Sequence, residues 1–270
     1  MKLLRLVFLQ KIAKALRARI STPVNSHQIN QSRRFENLPL LLGSIGGSAV
    51  LQDQSQIRDA EMLCDLSGIE KHHDATKTWD LLGFLATVMR YMPDKTASIL
   101  DAGSGSKAVV ASRLVDLGFT NISACDLKPV LQKSKNRERI TYYSSKFEEL
   151  PVRDGEFDVI VSMSVIEHVD DPLKSLVALT KKLKIGGLLI VSTDYWPDKI
   201  DCAGIYPYGV DMPEMRIFSA EELLALVDDL ATCGLKLLEE FSPRADKQVC
   251  VWERVGREYT FARLVFRRYA

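Results

Sequence analysis

Ser98-Ile99-Leu100-Asp101-Ala102-Gly103-Ser104-Gly105-Ser106 reads as a buried strand that ends in a carboxylate and breaks into a glycine turn. A helix-like segment, Lys107 to Leu117, follows at once. Strand, glycine turn and helix in that order build the ligand cradle found at the carboxyl edge of open α/β sheets. Gly103 can take a positive φ, and Gly105 lets a ligand approach the backbone with no Cβ in the way. The helix N-terminus adds N–H groups and positive potential, which suit a carboxylate or phosphate.

The rest of the chain continues the alternation. Ile99-Leu100, Ile122 to Cys125, Ile140 to Tyr143, Val159 to Met163 and Leu188 to Val191 read as buried strands, with a helix from Asp171 to Leu183 closed by Gly186-Gly187. Such alternation implies a parallel sheet with right-handed crossovers. Ser219 starts a further helix that Gly234 stops, with Glu221 and Glu222 in its first turn. Leu235 to Phe241 and Tyr259 to Phe266 then read as two strands joined by a stretch too short for a crossover helix, so they are expected to pair antiparallel. Upstream, Gln56 to Tyr91 reads as helix, with Trp79, Leu82, Leu85, Val88 and Met89 forming an apolar stripe that Pro93 ends. Ser21 to Gln54 reads as an irregular linker.

The 270 residues carry a net charge of +1, which argues for no polyanionic partner. Five scattered cysteines without a C-x-x-C pair look like reduced thiols of a cytosol-like compartment. The N-terminus differs: Met1 to Phe35 hold eight basic residues and no acidic one, with apolar residues at helical spacing over the first 20. That pattern fits an interfacial helix on an anionic membrane, an organellar transit peptide, or a solvated helix packed on the domain. The expected location is cytoplasmic, peripheral to a membrane if residues 1–20 bind one, and organellar if 1–35 are a transit peptide. The expected layout is a basic amphipathic helix and linker (1–54), a helical lead-in or lid (55–95) and the main domain (96–270).

From about Thr96 onward the chain resembles the class I S-adenosylmethionine-dependent methyltransferases, in particular the group that acts on small molecules. Asp101-x-Gly103-x-Gly105 matches that family's first turn, with Ser106 in place of the usual third glycine. Asp126 stands 21 positions after Gly105, close to the ~20 expected of a carboxylate that takes both ribose hydroxyls. In Lys146-Phe147-Glu148-Glu149-Leu150-Pro151 the acid that the family often places for the adenine amino group is missing at Lys146. Ser162-Met163-Ser164-Val165-Ile166-Glu167-His168-Val169 resembles the exit of the family's fourth strand.

The resemblance implies S-adenosyl-L-methionine as cofactor, held by Asp101, Ala102, Gly103, Ser104, Gly105, Asp126, Leu127, Phe147, Glu148, Ser162 and Ser164. His168 is the candidate base, since neutral imidazole suits proton removal near pH 7. Tyr195, Trp196, Tyr206 and Tyr208, on the loop after the fifth strand, are candidates for an acceptor pocket. The implied fold is a Rossmann-like, mostly parallel seven-stranded sheet with an antiparallel C-terminal edge hairpin and helices on both faces. The implied reaction is in-line transfer of a methyl group to the oxygen or nitrogen of a small molecule, with a glycan or lipid precursor as one option. No metal is expected, since Asp194 alone is too few ligands. No clear nucleic-acid partner is expected, since there is no clear basic stripe outside the N-terminus and Arg263, Arg267 and Arg268, and the Asn/Asp-Pro-Pro-Tyr and Pro-Cys segments of amide-, adenine-N- and cytosine-C5-methylating enzymes are absent. His72-His73-Asp74 reads as a lid or substrate contact. Two other readings stay open: a non-catalytic methyltransferase-like scaffold, and an NAD(P)-dependent oxidoreductase, whose loose fingerprint Gly103-x-Gly105-x-x-Ala108 satisfies.

Overall fold

The computed structural model describes residues 45–127 and 134–270. The basic N-terminal segment read as a membrane or targeting helix lies outside the described residues. Five strands run parallel in the order β6-β5-β2-β3-β4: β2 (Ser98–Ala102), β3 (Asn121–Asp126), β4 (Ile140–Ser144), β5 (Phe157–Met163) and β6 (Leu183–Tyr195). Outside β6 lies β9 (Arg257–Arg268), antiparallel to it from Leu188↔Arg267 to Tyr195↔Thr260. The other edge of β9 carries β1 (Ala49–Val50) and β7 (Leu235–Leu237), both antiparallel. β8 (Cys250–Trp252) pairs with the start of β9.

Among the described residues the sheet has nine strands rather than the expected seven. The additions are short: β8, and β1, which the sequence shows only as linker because two residues carry no periodicity. The reversed pair formed by β7 and β9 is present, with β9 as the long member that joins the sheet.

Residues on the two faces of these strands alternate, as the period of two requires. Ile99, Val159, Val161, Leu188, Ile190, Phe261 and Val265 enter one core, while Leu100, Ile160, Leu189, Val191, Leu264 and Phe266 enter the other. The first core is covered by α1 (Gln54–Ser67), α2 (Ala75–Tyr91) and α3 (Val109–Asp116). The second is covered by α4 (Pro172–Lys182) and α5 (Ala220–Thr232). Burial on both faces explains why the strands read as continuous apolar runs rather than alternating ones.

Two boundaries differ from expectation. The single helix expected from Gln56 to Tyr91 is two helices, because Gly68 takes φ 71° and caps α1 before Asp74 starts α2. Gly186-Gly187 does not close α4, which already ends at Lys182. It lies inside β6, where Phe157 pairs with Leu183 but Val159 with Leu188, and Gly186 supplies the positive φ of that bulge.

α2 is buried along its whole middle, from Thr78 to Met89, which is the pattern of a helix enclosed by protein on all sides. One enclosing element is Arg263 of β9, fully buried, which lies where a side chain on Gly83 would stand. Its Nε and Nη2 donate to the carbonyls of Gly47 and Ile45 at 2.9 and 2.7 Å, its Nη1 stands 3.7 Å from Asp80 Oδ1, and its guanidinium lies over Trp79.

Candidate functional site

The chain leaves β2 toward β3 on one side, while β5 comes back on the other side of β2. That reversal of strand order is where open α/β sheets leave a crevice at the carboxyl ends of their strands. A cavity of about 550 Å³ opens there, within the roughly 300–1,000 Å³ range of small-molecule sites.

Its floor is the loop after β2. The Gly103 and Ser104 N–H groups donate to Cys125 O at 2.8 and 3.0 Å, which fastens the loop to β3. Gly103 has φ 78°, and a Cβ there would stand 2.5 Å from Val165 Cγ2, so only glycine fits. Gly105, at φ 62°, has nothing within 4 Å of where its Cβ would be, so its face lies open to a ligand. Asp126, at the end of β3, reaches across and accepts from Gly105 N at 2.8 Å.

Asp101 has a second task that its strand position does not reveal. Helix α3 starts at Ala108, which has φ 41° and no capping side chain of its own. Asp101 Oδ2 accepts from Ala111 N at 2.9 Å and so satisfies an N–H at the start of that helix. Asp101 is buried, and burial together with the charge of Asp126 pushes its carboxyl up to about 7.

The walls come from elements far apart in sequence. His72, His73 and Lys77 arrive from the lead-in, Met163 and His168 from the exit of β5, Asp194 from β6, and Trp252, Tyr259 and Phe261 from the C-terminal strands. His168 stacks edge-on against Tyr208, with ring centroids 5.0 Å apart. Burial lowers the pKa of His168, only partly offset by Glu167, so its ring is neutral at neutral pH. Burial and the neighbouring His73 lower His72 further, to about 4.

Behind His168 two carboxyls meet. Asp194 and Glu167 are both buried, at 3% and 1% exposure. Burial and the charge of Glu167 raise the Asp194 pKa well above the usual carboxylate range. Thr193 Oγ1 donates to Glu167 at 3.1 Å, and Tyr259 hydrogen-bonds Asp194.

The structure brings Asp101, Gly103, Ser104, Gly105, His168 and Tyr208 together at the cavity, holds Asp126 beside it on Gly105 N, and leaves the other expected residues elsewhere. Ala102 is fully buried beneath the loop. Leu127 is 60% exposed and does not face the cavity. Phe147 packs its ring into the second core, and Glu148 accepts from Ser175 of α4 at 2.9 Å. Ser162 and Ser164 flank Met163, and strand alternation turns Met163 rather than the serines to the cavity. Among the acceptor-pocket candidates, Tyr195 is buried against the second core with its hydroxyl on Pro243 O. Trp196 packs against the first core, and Tyr206 is exposed outside the cavity. Sequence reading missed Lys77, Tyr259 and Phe261 because no local motif links α2 or β9 to the glycine loop. It did single out His72-His73-Asp74, and all three line the cavity.

Residues 100–191 match the family model described as a methyltransferase domain. Over these residues, about a third of its length, the chain is similar to methyltransferase domains. A ubiquinone biosynthesis O-methyltransferase of Rickettsia bellii is 33% identical over 101 residues, 35% of this chain and 41% of that protein. The chain spans about two fifths of the length of that relative. Among solved structures, the [4+2]-cyclase SpnF superposes with a TM-score of 0.55 at 19% identity, covering 83% of this chain and 99% of that one. A 1,6-didemethyltoxoflavin-N1-methyltransferase of Burkholderia thailandensis, with 1,6-didemethyltoxoflavin and S-adenosylhomocysteine bound, gives 0.50 at 16% identity, covering 83% and 96%. These likenesses show the fold alone, and a cyclase among them shows that the fold does not dictate the reaction.

Proposed function

We propose that this protein is a methyltransferase that transfers a methyl group from S-adenosylmethionine to a small-molecule acceptor, in the first place to an oxygen. The observation that carries the reading is the glycine loop itself, pinned to Cys125 O, tied to Asp126 through Gly105, and open where a Cβ would be absent. The name of the Rickettsia relative supports oxygen as the acceptor atom.

The residues present fit the cofactor. Gly103, Ser104 and Gly105 offer a backbone cradle, open at Gly105 where a Cβ would otherwise stand, and Asp126 stands at the strand end where a vicinal diol would meet an acceptor carboxylate. When bound, S-adenosylmethionine supplies an electrophilic methyl on a sulfonium and leaves as a neutral thioether. Alignment and exclusion of water are then the main demands on the protein. The loop after β2 provides the alignment. The walls of Met163, Tyr208, Trp252 and Phe261 exclude water. His168, held neutral by burial at the cavity wall, takes the proton of an acceptor hydroxyl.

Calorimetric titration with S-adenosylmethionine and S-adenosylhomocysteine, with NADPH as control, tests the reading. Micromolar binding of the first pair alone is expected. Binding of NADPH instead would return the loop to dinucleotide use, and binding of none would leave a scaffold.

A further inference from the structure

We infer that Lys77 binds an anionic oxygen of the methyl acceptor, so that the acceptor site selects molecules carrying a carboxylate or an ionised hydroxyl. The inference rests on the methyl-transfer reading and adds to it the charge of the acceptor.

Lys77 is the third residue of α2, whose N-cap is Asp74. A cation is out of place there, because the N-terminal end of a helix dipole is positive. The side chain nevertheless lines the cavity instead of running out to water. Among the described residues its ammonium has no hydrogen bond and no carboxylate within ion-pair distance. It lies over the ring of Phe261, 5.9 Å from Nζ to the centroid. Elsewhere on the surface lysines reach their acids directly, as Lys199 does Glu222 at 2.6 Å.

The acids that keep Lys77 charged do so from a distance and are engaged with other groups. Asp194 is held by Tyr259 and Glu167, Glu167 by Thr193, and Asp80 by Ser192 and Arg263. Three N–H donors are thus left facing the cavity. An amine acceptor would enter as an ammonium and meet a like charge. A carboxylate or an oxyanion would meet those donors, reinforced by the start of α2, on the wall formed by Phe261 and Tyr208. Since Lys77 lies outside the segment that matches the family model, acceptor choice sits in the lead-in helix rather than in the cofactor loop.

The test is calorimetry at pH 8 on the full chain, with and without S-adenosylhomocysteine. Benzoate is compared with benzamide for the carboxylate, and 4-nitrophenolate with nitrobenzene for the ionised hydroxyl. At least one anion should bind about tenfold more tightly than its neutral partner, and the preferred pair identifies the acceptor group. Lys77→Met should level the preference while S-adenosylhomocysteine affinity stays unchanged, and Lys77→Arg should keep it. Equal binding of anion and neutral partner in the wild type, or a preference that survives Lys77→Met, overturns the inference. Failure to bind S-adenosylhomocysteine, with the anion preference intact, counts against the methyl-transfer reading alone.

Discussion

Asp101 is a buried acid whose folded state holds its proton to about pH 7, while the unfolded chain releases it near pH 4. Its contribution to stability is therefore fully present below about pH 4 and is lost as pH rises toward 7. Asp101→Asn removes that titration. The stability difference between pH 4.5 and 7.5, read from denaturant unfolding, should shrink by on the order of a few kcal/mol in the variant. Asp126→Ala removes the acceptor that ties Gly105 to β3 and the carboxylate expected at the ribose. It should weaken S-adenosylhomocysteine binding about tenfold or more, by calorimetry, with the unfolding midpoint nearly unchanged. Both acids were legible in the sequence because each sits at a strand end beside a local glycine signal. Phe147 and Glu148 were misplaced because a loop sequence does not tell which way a ring turns, and here the second core takes it. Lys77 was invisible because its meaning depends on a cavity assembled from distant segments.

At the scale of elements, the strands and most helices were legible because burial on both sheet faces writes apolar runs that turn residues interrupt. The bulge at Gly186 and the break between α1 and α2 were not, because a glycine reads alike as a helix stop, a bulge and a cap. Gly103 sits where β2 meets the exit of β5. Gly103→Ala should destabilise the protein by roughly 1–3 kcal/mol, through overlap with Val165 and the positive φ. Adding Val165→Ala should recover part of the loss in thermal unfolding, since only the overlap is relieved. Helix α5 begins with a full capping box, Ser219 accepting from Glu222 N and Glu222 accepting from Ser219 N. Ser219→Ala should cost about 1 kcal/mol, measured by denaturant midpoint, without changing ligand binding.

At the scale of the molecule, Arg263 joins the lead-in to the sheet. It pairs with Asp80 inside the core and donates to Gly47 and Ile45. Arg263→Leu leaves Asp80 buried without its cation and should destabilise the fold by roughly 3–5 kcal/mol. Limited proteolysis should then cut at residues 45–50 earlier than in the wild type. The reversed pairing of the last strands was legible from their short connection. That β9 lies against β6 was not, because the pairing spans segments the chain keeps far apart. The placement of β9 also fixes an order of events during synthesis. Until residues 257–268 have left the ribosome, β6 is an open, apolar edge, and the segment from Ile45 to Leu51 has no partner to dock on. The nascent chain can assemble β2 to β5 early, yet it cannot seal the sheet before β9 emerges. Chains stalled short of β9 should therefore be the species that self-associate or recruit chaperones.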